Sequence, residues 1–95
     1  MQLNVIRGER ATGKTTRLRQ IAKEDGQSES HIIVGRDCSA AVLERQVRYR
    51  VSRGAKVVCI DECSEHQIAR LTELKGRLPA DLHIYAVLAP MGDAW

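Results

Sequence analysis

A chain of 95 residues points to one domain, 1–95, that hides roughly 60–70% of the surface its unfolded form exposes. Its composition, 43% hydrophobic and 28% charged with no low-complexity tract, excludes a disordered or fibrous protein, and the lack of any Phe leaves the core to Leu, Ile, Val and Ala. No apolar run approaches the ~18 residues of a membrane span and the N-terminus has no leader pattern, so a cytoplasmic protein is expected; a net charge of +3 keeps anionic partners open without arguing for them.

Leu3 to Ile6 reads as a strand that opens directly into the glycine-bounded segment Gly8-Glu9-Arg10-Ala11-Thr12-Gly13-Lys14-Thr15, with Thr16 following. From Lys14 to about Lys23, Leu18, Ile21 and Ala22 recur at helical spacing with basic residues between them. Glu24 to Ser30 is polar and turn-rich, a surface loop, and His31 to Val34 is a second short strand closed by Gly35. A helix then starts after Ser39, a suitable N-cap, sets Ala40, Leu43, Val47 and Val51 on one stripe, and ends near Gly54. Lys56 to Ile60 is a third strand whose unbroken apolar run predicts burial on both faces. Ser64-Glu65-His66-Gln67 has capping-box spacing, Ile68, Leu71 and Leu74 share one helical face behind it, and Gly76 and Pro79 stop that helix. Leu82 to Ala89 is a fourth strand, too apolar for an edge, and Pro90 to Trp95 is an irregular tail. The alternation β-α-β-α-β-α-β predicts an α/β fold with a parallel sheet of about four strands and right-handed crossovers.

Gly8 to Thr15 matches the pattern G-x-x-x-x-G-K-[ST] in full. Glycines at both ends permit the tight turn that aims successive backbone N–H groups at phosphate oxygens. The helix behind it adds unpaired N–H groups and the positive end of its dipole. In such a loop Lys14 reaches the β- and γ-phosphates and the Thr15 hydroxyl ligates Mg²⁺. The context, strand before and helix after, is what separates this segment from an ordinary glycine-rich turn.

The second element is Val57-Val58-Cys59-Ile60-Asp61-Glu62, an apolar strand that ends in two carboxylates. Ligands of parallel sheets lie at the carboxyl ends of strands, the end at which the glycine loop sits as well. There Asp61 is expected to hold the hydration shell of Mg²⁺ and Glu62 to orient or deprotonate an attacking water. The alternative is an acidic pair that merely precedes the helix cap at Ser64.

Together, Gly8–Thr15 and Val57–Glu62 resemble the Walker A and Walker B motifs of the P-loop NTPase superfamily. The Glu after the Walker B Asp is similar to the branch with a catalytic glutamate there, the RecA-like and AAA-type ATPases. The resemblance implies a three-layer sandwich with the last strand inserted between the two motif strands, order 2-3-4-1, and an ATP- and Mg²⁺-dependent hydrolase. A narrower likeness, carried by Asp61-Glu62-Cys63, Gln67-Ile68 and Tyr85, is to thymidine kinases with an Asp-Glu-(Ala/Cys)-Gln signature, which implies phosphoryl transfer to a nucleoside. A nucleotide-dependent switch without turnover is the third reading: the strand end where these ATPases place a polar sensor reads Leu88-Ala89-Pro90-Met91.

Arg10 within the loop and Arg36 after the second strand are candidates for a phosphate-facing arginine. Cys38, Cys59 and Cys63 contain no C-x-x-C pair, and buried or indifferent reduced thiols are expected rather than a zinc site completed by His66. Arg45, Arg48, Arg50 and Arg53 leave a nucleic-acid partner open beside the blander reading of a solvated basic face, and the shortage of aromatics speaks against a base-stacking platform. Self-association or a protein partner stays open too.

Overall fold

The computed structural model describes residues 1–6, 14–24, 26 and 31–88, with residues 14–17 described as backbone. The elements are β1 (Gln2–Ile6), α1 (Lys14–Glu24), β2 (Ile33–Val34), one 3₁₀ turn (Gly35–Asp37), α2 (Ala40–Ser52), β3 (Val57–Cys63), α3 (Glu65–Glu73) and β4 (His83–Leu88). The glycine loop up to Gly13, the polar stretch 27–30, Ala89 at the end of the expected fourth strand and the expected tail Pro90 to Trp95 lie outside the described residues.

All strand pairings are parallel. Read from the β1 edge the order is β1-β4-β3-β2, the reverse listing of 2-3-4-1, so β4 lies between the strand that precedes the glycine loop and the strand that carries Asp61 and Glu62. A parallel pair cannot be closed by a hairpin, and each connection here carries a helix across the sheet.

The pleat sorts the strand residues between two helical layers. On one face Cys59 and Val87 pack against Leu18 and Ala22 of α1. On the other, Val58, Ile60, Ile84 and Ala86 pack against Leu43 and Val47 of α2 and Ile68 and Leu71 of α3. The predicted burial of β3 on both faces is thus met, with Val58, Cys59 and Ile60 all fully buried. Each such aliphatic side chain contributes about 1.5–3 kcal/mol on burial.

Local chemistry places the helix ends. The Ser39 hydroxyl accepts from Val42 N at 3.2 Å, and beyond α2 Gly54 turns the chain at φ +91, where a Cβ would be strained. The capping box at Ser64 and Gln67 forms in full. The second strand is shorter than His31–Val34: its ladder with β3 holds only Ile33↔Ile60 and Val34↔Asp61. His31 falls outside it, and its carbonyl accepts instead from the Arg50 side chain of α2. No helix of the described residues is long and apolar enough to cross a membrane.

Candidate functional site

β3 does not end as a regular strand. Ile60 pairs with Ala86 and Cys63 with Leu88, so Asp61 and Glu62 together oppose Val87 alone. This one-residue bulge returns Cys63 to the face of Val58 and Ile60, where it is buried among the residues facing α2 and α3. Glu62 absorbs the extra residue with φ 50, making it the one non-glycine residue with positive φ among those described. A left-handed glutamate costs on the order of 1–3 kcal/mol and persists only where its surroundings enforce it.

Two contacts accompany this bulge at the carboxyl edge of the sheet. Asp61 Oδ1 accepts from Glu62 N at 2.9 Å, which provides that N–H with a partner within the bulge. The Glu62 carboxylate, about half exposed, reaches the Arg36 guanidinium with Oε1 and Nη1 3.6 Å apart. Arg36 belongs to the 3₁₀ turn that follows β2, so the edge strand delivers a cation to the acidic end of its neighbour.

Gln67 ties the same two segments together from below. It is buried, and its Nε2 donates to Gly35 O at 2.8 Å and Cys38 O at 2.9 Å, while Oε1 accepts from Ser64 N at 2.9 Å. Both amide protons are used, and the turn carrying Arg36 is fastened to the junction between Glu62 and α3. Gly35 is required by this closeness: a Cβ there would sit 2.7 Å from Gln67 Oε1, 3.0 Å from Glu62 O and 3.1 Å from Cys63 Cα. Gly35→Ala is therefore expected to destabilise the protein by about 1–3 kcal/mol, visible as a lower urea midpoint at unchanged slope. An unchanged midpoint would show that the turn can move away without loss.

Cys38 is half-buried beside the core that holds Cys63, whereas Cys59 lies apart from both. Cys59 is buried against α1 and Cys63 on the opposite face of the sheet, while His66 is exposed on α3, so these three do not meet. Burial pushes the Cys63 thiol up from 9.0 to about 12. The unfolded chain then gives up this proton at lower pH than the folded one. Cys63 leaves stability unaffected below pH 9 and lowers it as pH rises from 9 towards 12, a loss that Cys63→Ala should lessen in urea titrations across that window.

Of the residues expected from the sequence, Asp61 and Glu62 are brought together at the carboxyl edge. Lys14, Thr15 and Thr16 form the first turn of α1, and their side chains lie outside the described residues, as do Gly8, Glu9, Arg10, Ala11, Thr12 and Gly13. Because β1 and β2 run parallel, the chain between them must return from the carboxyl edge to the amino edge, and α1 is the described element within that return. At the end of β4, Leu88 is apolar and buried, and Ala89 to Met91 lie outside the described residues.

The bulge, the Arg36–Glu62 pair and the Gln67 tie are absent from the sequence reading. One signal for the bulge was present: the apolar Cys63 lies three residues beyond Ile60, out of step with period two. No protein-family model, no curated protein and no solved structure matches the chain.

Proposed function

We propose that the chain is a P-loop NTPase that binds ATP with Mg²⁺ and hydrolyses it at the carboxyl edge of the sheet. The observation that carries the reading is the bulged Asp61-Glu62 end of β3, an acidic pair whose Glu62 is held in a costly left-handed conformation where parallel sheets bind their ligands. The glycine loop, contiguous in sequence with β1 and α1, supplies the phosphate-binding half.

In this reading the amides of Gly8–Thr15 and the ammonium of Lys14 bind the triphosphate. The donor set suits a hard divalent cation, with the Thr15 hydroxyl and the Asp61 carboxylate as oxygen ligands, directly or through water. When bound, Mg²⁺ neutralises charge on the β- and γ-phosphates. Glu62 accepts a proton from the attacking water as its oxygen bonds to the γ-phosphorus and the bond to the bridging oxygen breaks, leaving ADP and phosphate. Arg36 orients the Glu62 carboxylate through its ion pair.

A second reading, a nucleotide-dependent switch without turnover, is favoured by the apolar end of β4 at Leu88, where a polar group contacting phosphate would otherwise be expected. Phosphate release from ATP separates the possibilities. A steady rate that needs Mg²⁺ supports hydrolysis, ATP binding with no ADP formed over hours supports the switch, and ADP formed only when a nucleoside is added supports a kinase.

A further inference from the structure

We propose that the outward face of α2 binds single-stranded nucleic acid, with Tyr49 stacking on a base and Arg45, Arg50 and Arg53 facing phosphates. The helix has two unlike flanks. Towards α3, Glu44 accepts from Arg48 Nε at 3.1 Å and from Arg70 Nε at 2.7 Å, so the acid on that side is matched by arginines, which hold its carboxyl below its ordinary value. Among the described residues the opposite flank carries no acid. Arg45, Tyr49 and Arg53 follow at intervals of four, one above the next, and Gln46 and Arg50 run beside them.

Arg45, Gln46, Tyr49 and Arg50 line an open groove of about 380 Å³. Tyr49 is 62% exposed, although no packing within the described residues requires an aromatic there. The Arg53 guanidinium lies over its ring, 5.8 Å from the centroid, which holds the ring in place and adds positive charge beside it. Arg50 is anchored through its bond to the His31 carbonyl, and Arg45 makes no ion pair among the described residues. Arginines interleaved with one exposed ring suit a polymer that offers phosphates and open base faces together. A duplex keeps its base faces covered, and an acidic peptide offers charge without a face to stack. The inference does not rest on the ATPase reading, since none of these residues belongs to the Asp61–Glu62 site.

The test is fluorescence anisotropy with a labelled oligothymidylate, titrated at several salt concentrations, with a duplex of equal length and polyglutamate as competitors. The single strand is expected to bind with a salt dependence that flattens by about 0.7 in log–log slope in Arg45→Ala. Tyr49→Ala should weaken binding about tenfold while leaving that slope unchanged. Arg45→Lys, which keeps the charge, should keep the slope. The proposal is overturned if the wild type does not bind, if Tyr49→Ala binds as the wild type does, or if duplex or polyglutamate competes as well as the unlabelled single strand. Circular dichroism of each variant separates lost binding from lost fold.

Discussion

Glu62→Gln is expected to bind MgATP as the wild type does and to release phosphate at least about a hundredfold more slowly. Glutamine keeps the length and polarity of the side chain but cannot accept a proton from water. The backbone should stay in its left-handed conformation, because the bulge rather than the carboxylate enforces it. Glu62→Gly separates strain from chemistry. Glycine removes the penalty of φ 50, on the order of 1–3 kcal/mol, and returns about 0.5–1 kcal/mol through the freedom it adds to the unfolded chain. The exposed pair with Arg36 is worth little. A net gain of about 1 kcal/mol should raise Tm by about 4–8 °C in a domain of this size. Both variants should lose turnover, and the glycine variant alone should gain stability. Turnover retained by Glu62→Gln would remove Glu62 as the base, and a glycine variant less stable than the wild type would show that no strain is stored there.

The contrast between these two substitutions also marks what the sequence could convey. Hydrophobic period and capping residues made the elements legible: Ser39 and Ser64 cap the helices they precede, Gly54 turns the chain beyond α2, and the apolar Leu82–Leu88 run lies between two strands as its composition suggests. Asp61 and Glu62 were legible as a strand-end acidic pair. Their geometry was not, because a bulge depends on the register with β4, which is fixed by packing across the sheet and leaves only the displaced Cys63 as a local trace. The expected start of β2 at His31 differs from the observed one at Ile33 for a related reason: an edge strand has one neighbour, and the His31 carbonyl accepts from the Arg50 side chain of α2 instead of joining the ladder.

Gln67→Glu is expected to destabilise the protein by about 2–4 kcal/mol, a large fraction of the total stability of a small domain. The substitution is nearly isosteric, so packing is spared and the effect reports hydrogen bonding. An ionised carboxylate donates nothing, leaves the Gly35 and Cys38 carbonyls without their donors, and sets a buried charge against them. Burial would raise the carboxyl pKa in the folded state, so the variant should be least impaired at acid pH and lose stability as pH rises through that pKa. Urea titrations of wild type and variant at pH 5 and pH 8 measure both effects. Equal stability at the two pH values, or a variant as stable as the wild type, would remove Gln67 as the tie between the Arg36 turn and the Glu62 bulge.

The most direct test of the nucleotide-binding claim is calorimetric titration of ATP, with Mg²⁺, into the wild type and into Lys14→Ala. Saturable binding of one ATP per chain is expected for the wild type and its loss for the variant, with both proteins equally folded by circular dichroism. No binding by the wild type, or equal binding by Lys14→Ala, would contradict the assignment of Gly8–Thr15 as the phosphate loop.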